Sequence, residues 1–161
     1  MADVLILTTG GTIDKLYFDA LSSYQIGDSV VDRLLQTARV TRPYRVVELL
    51  RKDSLELDDA DREAIAAAVR AAPERHVVIT HGTDTMTLTA QALAGMAGRT
   101  IVLVGALAPA RFAESDATFN LGMAFATAQI AAPGVWITMN GRVFPADRVR
   151  KDRAANAFVE A

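Results

Sequence analysis

Two threonines in this 161-residue chain stand just past glycine, at points where an apolar run breaks off. Thr12 lies in Thr8-Thr9-Gly10-Gly11-Thr12-Ile13, after Val4-Leu5-Ile6-Leu7. Thr83 lies in Ile79-Thr80-His81-Gly82-Thr83-Asp84-Thr85-Met86, after Val77-Val78. A threonine hydroxyl is a weak nucleophile until a base takes its proton. Glycine beside it lets the backbone turn sharply and approach a ligand closely, and backbone N–H groups there can hold a developing oxyanion. The other reading of Thr12 is a hydroxyl that bonds its own turn. Other chemistries are excluded. The chain has no cysteine and two histidines, so thiolate catalysis and cysteine-ligated zinc are out, and His76 and His81 give poor metal-ligand spacing. His81 reads as a hydrogen-bonded structural residue. Neither nucleotide-binding glycine motif is present, nor the G-x-S-x-G elbow.

Buried strands must carry both threonines. A strand that ends in Gly plus Thr presents N–H groups and hydroxyls at its carboxyl end, where an open α/β sheet binds ligands. Two such ends in one small domain can face a single crevice. The unbroken apolar run over 3–8 lacks the alternation of a half-exposed strand. About 16 residues follow without clear periodicity, a length typical of a functional lid or binding loop; Tyr17, Phe18 and Tyr24 lie within it. Ser29-Val30-Val31-Asp32 resembles a capping box, and Val30, Val31, Leu34, Leu35 and Ala38 mark one helix face. A strand over 44–50 runs into Arg51-Lys52-Asp53-Ser54. Asp58, Asp59 and Asp61 suit the start of a helix that Pro73 stops.

The third strand spans 76–80, and Thr83 or Asp84 is expected to cap the next helix. That helix carries Met86, Ala90, Leu93, Ala94 and Ala97 on one face and closes at Gly98. A strand over 100–104, a helix over 118–131 and a strand over 135–139 follow. The polar tail is expected to end in a short helix. Alternating strands and helices imply an α/β fold, a doubly wound and mostly parallel sheet in a single domain over 1–161.

Composition sets the class. Hydrophobic content of 51% with 22% charged residues fits a soluble globular protein, and a domain of this size buries about 70% of its unfolded surface. A net charge of −2 offers no field for nucleic acid. The basic run Arg148-Val149-Arg150-Lys151-Asp152-Arg153 reads first as a solvated surface loop. No apolar run approaches the ~20 residues of a membrane span, and no signal peptide precedes the first strand, so a cytoplasmic location without membrane contact is expected.

The segments T-T-G-G-T-I and H-G-T-D-T-M resemble the two signature motifs of the bacterial-type L-asparaginase family, which hydrolyses asparagine to aspartate and ammonia. The resemblance runs from about Asp3 to about Phe158 and covers the amino-terminal domain of the usual two-domain member. It implies a flavodoxin-like or Rossmann-like fold and no cofactor or metal. It further implies that Thr12 is the nucleophile forming an acyl intermediate, with Gly11 and Gly82 lining the substrate. Tyr24, in a Tyr-x-x-Gly context, matches the tyrosine that contacts and helps activate the threonine; Tyr17 competes for that role. Thr83, Asp84 and Lys151 match a relay that activates a hydroxyl or water. An ammonium at Lys151 would stabilise an alkoxide, and Asp84 would bind the substrate's α-amino group. Asp84 as a plain N-cap is compatible with this. Asp53 and Ser54 match the substrate grip, Ser54 on the α-carboxylate, while Leu55 replaces the family's usual Gln or Ser.

The resemblance does not reach the family's carboxy-terminal domain, which is expected to be absent, and in two-domain members a neighbour's copy supplies an acidic residue to the site. A weak grip on substrate and a homodimer or homotetramer are therefore expected. The resemblance makes L-asparagine the expected substrate. A broader amidase or glutaminase is the alternative within enzymes, and a non-catalytic amino-acid-binding module the alternative outside them. Part of an amidotransferase is disfavoured, because no RNA-binding segment is present.

Overall fold

The apolar runs that precede the two glycine breaks become neighbouring parallel strands. The computed structural model describes residues 1–18 and 23–161. In chain order it places β1 (Val4–Gly10), β2 (Lys15–Phe18), β3 (Ser23–Ile26), α1 (Val31–Thr37), β4 (Tyr44–Lys52), α2 (Asp59–Ala71) and β5 (His76–Thr80). Then come α3 (Met86–Ala92), β6 (Thr100–Val104), α4 (Ala117–Ile130), β7 (Gly134–Met139), β8 (Arg142–Pro145), β9 (Val149–Asp152) and β10 (Ala157–Glu160).

Six strands form one sheet in the order β4-β1-β5-β6-β7-β8, parallel except for the edge strand β8. Alternate residues of the strands face opposite layers. Leu5, Leu7, Val77, Ile79, Ile101 and Leu103 pack with Ile65 and Val69 of α2 and Met86 and Leu93 of the α3 region. Val4, Ile6, Val78 and Val102 pack with Val31 and Leu35 of α1 and Leu121, Ala124 and Phe125 of α4. Both faces are covered, so the strands need no polar alternation. The expected doubly wound α/β fold is the one present. From β1 the chain goes first to one side, to β4, and then returns to the other, to β5. A ligand crevice opens where the strand order reverses, and here that is between the two strands that carry the glycine–threonine motifs. Among the described residues no helix is long and apolar enough to cross a membrane.

Three local expectations fail. The stretch without clear periodicity, expected as a lid or binding loop, contains an antiparallel hairpin, β2 with β3, in which Tyr17 stands opposite Tyr24. Helix α1 has no capping box: Val30 is its N-cap with no side-chain bond of its own, its N–H is held by the carboxylate of Asp14, and Ser29 Oγ accepts the Val31 N–H at 3.3 Å. The tail forms the hairpin β9–β10 rather than a helix, so Arg150, Lys151 and Asp152 lie on a strand and not in a solvated loop. Phe158 plugs that hairpin into the core, and its N–H donates to Asn140 Oδ1 at 2.7 Å. At α2 a capping box does form, between Asp58 and Asp61. Ala38, Ala94 and Ala97 are exposed, because α1 and α3 end before those positions can pack.

Candidate active site

At the carboxyl ends of β1, β4 and β5 three backbones meet closely enough to require glycine. Gly10 and Gly11 have φ of +98° and +82°, a region L side chains rarely adopt. A Cβ on Gly11 would lie 2.5 Å from the nitrogen of Gly82, and one on Gly82 would lie 2.6 Å from the Cβ of Ser54. Gly11, Gly82 and Ser54 are therefore in contact, which brings their neighbours Thr12 and Thr83 to one crevice. Thr12 opens a 3-10 turn, Thr12–Asp14, and is half-buried. The Gly11 N–H donates to the Lys52 carbonyl at 3.0 Å, so it is committed to the fold rather than offered to an oxyanion.

The polar cluster on the β5 side is tightly bonded. Lys151 Nζ donates to Thr83 Oγ1 at 2.7 Å and to Asp84 Oδ1 at 2.9 Å. Thr83 is 7% exposed and the Lys151 side chain 16%, so these charge-assisted bonds are partly shielded from water. The terminal hairpin delivers Lys151, which pairs with core-anchored Phe158. Arg153 also reaches Asp84 Oδ1, at 3.5 Å. Because the Asp84 carboxylate serves these two cations, it does not cap α3. Thr85 is the N-cap there, without a side-chain cap bond, and Thr83 does not cap it either.

Ser54 is 1% exposed and its Oγ accepts the Asp84 N–H at 3.2 Å, while its carbonyl accepts the Thr85 hydroxyl at 2.7 Å. It locks β4 to the motif after β5. Leu55 beside it is exposed. Asp53 Oδ2 lies 3.1 Å from Lys15 Nζ, and Oδ1 accepts the Leu55 N–H. Burial pushes its carboxyl up, but the Leu55 amide and the Lys15 ammonium together outweigh this and hold it below the usual carboxylate range.

His81 is fully buried, with Nδ1 2.6 Å from the Gly82 carbonyl and Nε2 2.7 Å from Thr89 Oγ1. Burial lowers its pKa to about 4 against the opposing pull of the Gly82 carbonyl, so the ring is neutral near pH 7. It ties the second motif to α3, the structural role expected of it. Tyr24 is exposed on β3, edge-to-face with Tyr17 at 5.4 Å and 6.0 Å from the Phe112 ring. Both tyrosines are about half exposed.

The structure thus gathers Gly11, Thr12, Ser54, Gly82, Thr83, Asp84 and Lys151, with Asp53 beside Lys15 and Tyr24 on a separate hairpin. Sequence reasoning missed Lys15 and Arg153. Arg153 belongs to the basic run, and only the strand pairing of β9 places it at Asp84. Among the described residues no group of three His, Asp or Glu could hold a metal ion. A groove of about 500 Å³ lies at the opposite end of the sheet, and Asp147 is its one charged lining residue. It has no chemistry to offer.

Known proteins resemble this chain in sequence and in fold. A sequence profile described as "Asparaginase, N-terminal" matches residues 3–159. L-asparaginase of Thermococcus kodakarensis is 32% identical over 171 residues, covering 96% of this chain and 50% of that protein. Glutaminase-asparaginase of Acinetobacter glutaminasificans is 31% identical over 167 residues, covering 92% of this chain and 49% of that protein. The crystal structure of L-asparaginase I from Vibrio cholerae superposes with a TM-score of 0.85 at 26% identity, over 99% of this chain and 52% of that one. The chain spans about half the length of these relatives. It belongs to the asparaginase family, in the part that forms the family's amino-terminal domain.

Proposed function

We propose that this chain hydrolyses the side-chain amide of L-asparagine to L-aspartate and ammonia. The Thr12 hydroxyl attacks the amide carbonyl, its proton passes by way of a neighbouring base, and ammonia leaves with a proton as the aspartyl ester forms. Water then cleaves that ester and restores the hydroxyl. Thr83, Asp84 and Lys151 position and polarise the attacking hydroxyl or water, Tyr24 assists Thr12, and Asp84 also takes the substrate ammonium. Gly11, Asp53, Ser54 and Gly82 shape the substrate's seat. The observation that carries this reading is the bonded set of Lys151, Thr83 and Asp84 beside the Gly11–Gly82 contact.

L-glutamine is the second substrate to consider, because a relative of similar identity is named for both activities. One extra methylene changes discrimination by only ~1–3 kcal/mol. Ammonia release from both amides, measured beside ligand-dependent thermal stabilisation, tests the proposal. Turnover supports it. Stabilisation by aspartate or asparagine without ammonia would replace it with a non-catalytic amino-acid-binding module.

A further inference from the structure

One buried carboxylate and one arginine have no part in the reaction proposed above, yet both hold the same piece of chain. Asp14 is 1% exposed, and its Oδ1 accepts the Val30 N–H at 2.9 Å. Its carbonyl accepts the Gly27 N–H at 3.0 Å and Arg111 Nη1 at 2.8 Å. The same guanidinium donates from Nη2 to the Asp28 carbonyl at 2.7 Å. Residues 14 and 27–28 flank the hairpin β2–β3, so a single guanidinium fork ties its two ends together. Gly27 is pressed against Leu16 so closely that a Cβ there would lie 2.2 Å from Leu16 Cδ2. Phe112, next in chain to Arg111, meets the Tyr24 ring from outside.

The loop that carries Arg111 is itself fixed. The Asp116 carboxylate accepts the Leu107 and Ala108 N–H groups, and the Ala110 N–H donates to the Ile13 carbonyl at 3.1 Å. A rigid loop after β6 therefore grips the hairpin at its base and along its aromatic flank.

We propose that Asp14 and Arg111 are positioning residues, a clamp that fixes the Tyr24 hairpin relative to Thr12. The inference rests on the amide-hydrolysis reading, in which Tyr24 assists Thr12. Neither residue touches substrate. A planar guanidinium can serve two carbonyls at once, which an ammonium does less well. The groups facing the Asp14 carboxyl are the Val30 N–H and Ser29 hydroxyl at the start of α1, Arg111 from the loop after β6, and more remotely Glu48 of β4. Burial raises that carboxyl to about 6, against the lowering by Val30, Ser29 and Arg111. Because folding raises this carboxyl, protonation favours the folded arrangement around it, and the clamp holds at acidic as well as neutral pH.

The test is amide exchange by NMR, with asparagine kinetics, on wild type, Arg111→Ala, Arg111→Lys and Asp14→Asn. Arg111→Ala should speed exchange at Gly27 by ~10-fold or more while core amides of Val78 and Val102 stay protected. It should also lower kcat/KM by ~10-fold or more, and Arg111→Lys should recover part of both losses. Asp14→Asn should speed exchange at Val30, whose N–H the carboxylate holds. Unchanged exchange at Gly27 in Arg111→Ala overturns the clamp, as does fast exchange with kcat/KM intact. If Arg111→Ala does not fold, the same comparison between Arg111→Lys and wild type decides. If wild type releases no ammonia, the amide-hydrolysis reading fails separately, and exchange at Gly27 alone decides the clamp.

Discussion

Acidification should act on this fold through two buried groups of opposite sign, His81 and Asp14. His81 is shut in between β5 and α3, and burial lowers its pKa from 6.5 to about 4. The unfolded chain then binds the extra proton first. The stability that neutral His81 contributes is full above about pH 6.5 and is lost as pH falls toward the folded value of about 4. The gap, 6.5 − 4 or about 2.5 units, corresponds to about 3 kcal/mol. Asp14 runs the other way. Its carboxyl is raised from 3.8 to about 6, so its contribution is fully present below about 3.8 and is lost as pH rises through about 6. That gap, 6 − 3.8 or about 2.2 units, is again about 3 kcal/mol.

The two effects nearly cancel between about pH 4 and pH 6. Wild-type stability should therefore be close to flat there, as far as these two groups decide it. His81→Gln keeps a hydrogen-bonding side chain against Thr89 but cannot titrate. Relative to wild type it should gain about 3 kcal/mol as pH falls from neutral to about 4. Asp14→Asn should instead lose stability relative to wild type by a similar amount over the same range. Urea unfolding followed by circular dichroism at several pH values reads both differences. A wild-type-minus-His81→Gln difference that stays constant with pH would refute the reasoning, since it would mean that His81 titrates alike in the folded and unfolded chain.

Gly11→Ala forces a side chain into φ +82° and against Gly82, so it should cost about 2 kcal/mol in urea unfolding and lower kcat/KM ~10²-fold, and equal activity would show that the crevice tolerates the shift. Lys151→Met leaves Asp84 with Arg153 at 3.5 Å, so the fold should survive while kcat for asparagine falls ~10²-fold or more; a change confined to KM would reduce Lys151 to a binding role. Tyr24→Phe should lower kcat by ~10²-fold and Tyr17→Phe by far less, and the reverse order would transfer the assisting role to Tyr17.

What could be read in the chain followed from local signals. Strands β1 and β5 were legible because a strand buried on both faces needs an unbroken apolar run, and the glycines that end those runs mark where backbones must touch. Thr12, Thr83 and Asp84 came with them. The rest depends on pairings that no short segment carries by itself. Lys15 to Phe18 pairs with Ser23 to Ile26 through cross-strand contacts that neither short segment announces. The N-cap N–H of α1, on Val30, is satisfied from 16 residues away by Asp14, while Ser29 accepts the next N–H, of Val31. Arg111 meets Asp14 across 97 positions, a contact with no sequence signature. The basic tail looked solvated because its charges are adjacent in sequence; anchoring by Phe158 turns Lys151 and Arg153 toward Asp84.

The central claim is that two threonines at adjacent strand ends carry out amide hydrolysis. Ammonia release from L-asparagine by wild type, Thr12→Ala and Thr83→Ala, matched for folding by circular dichroism, tests it most directly. Turnover by wild type that falls ~10³-fold or more in both variants is the predicted result. Equal ammonia release by wild type and Thr12→Ala would contradict it.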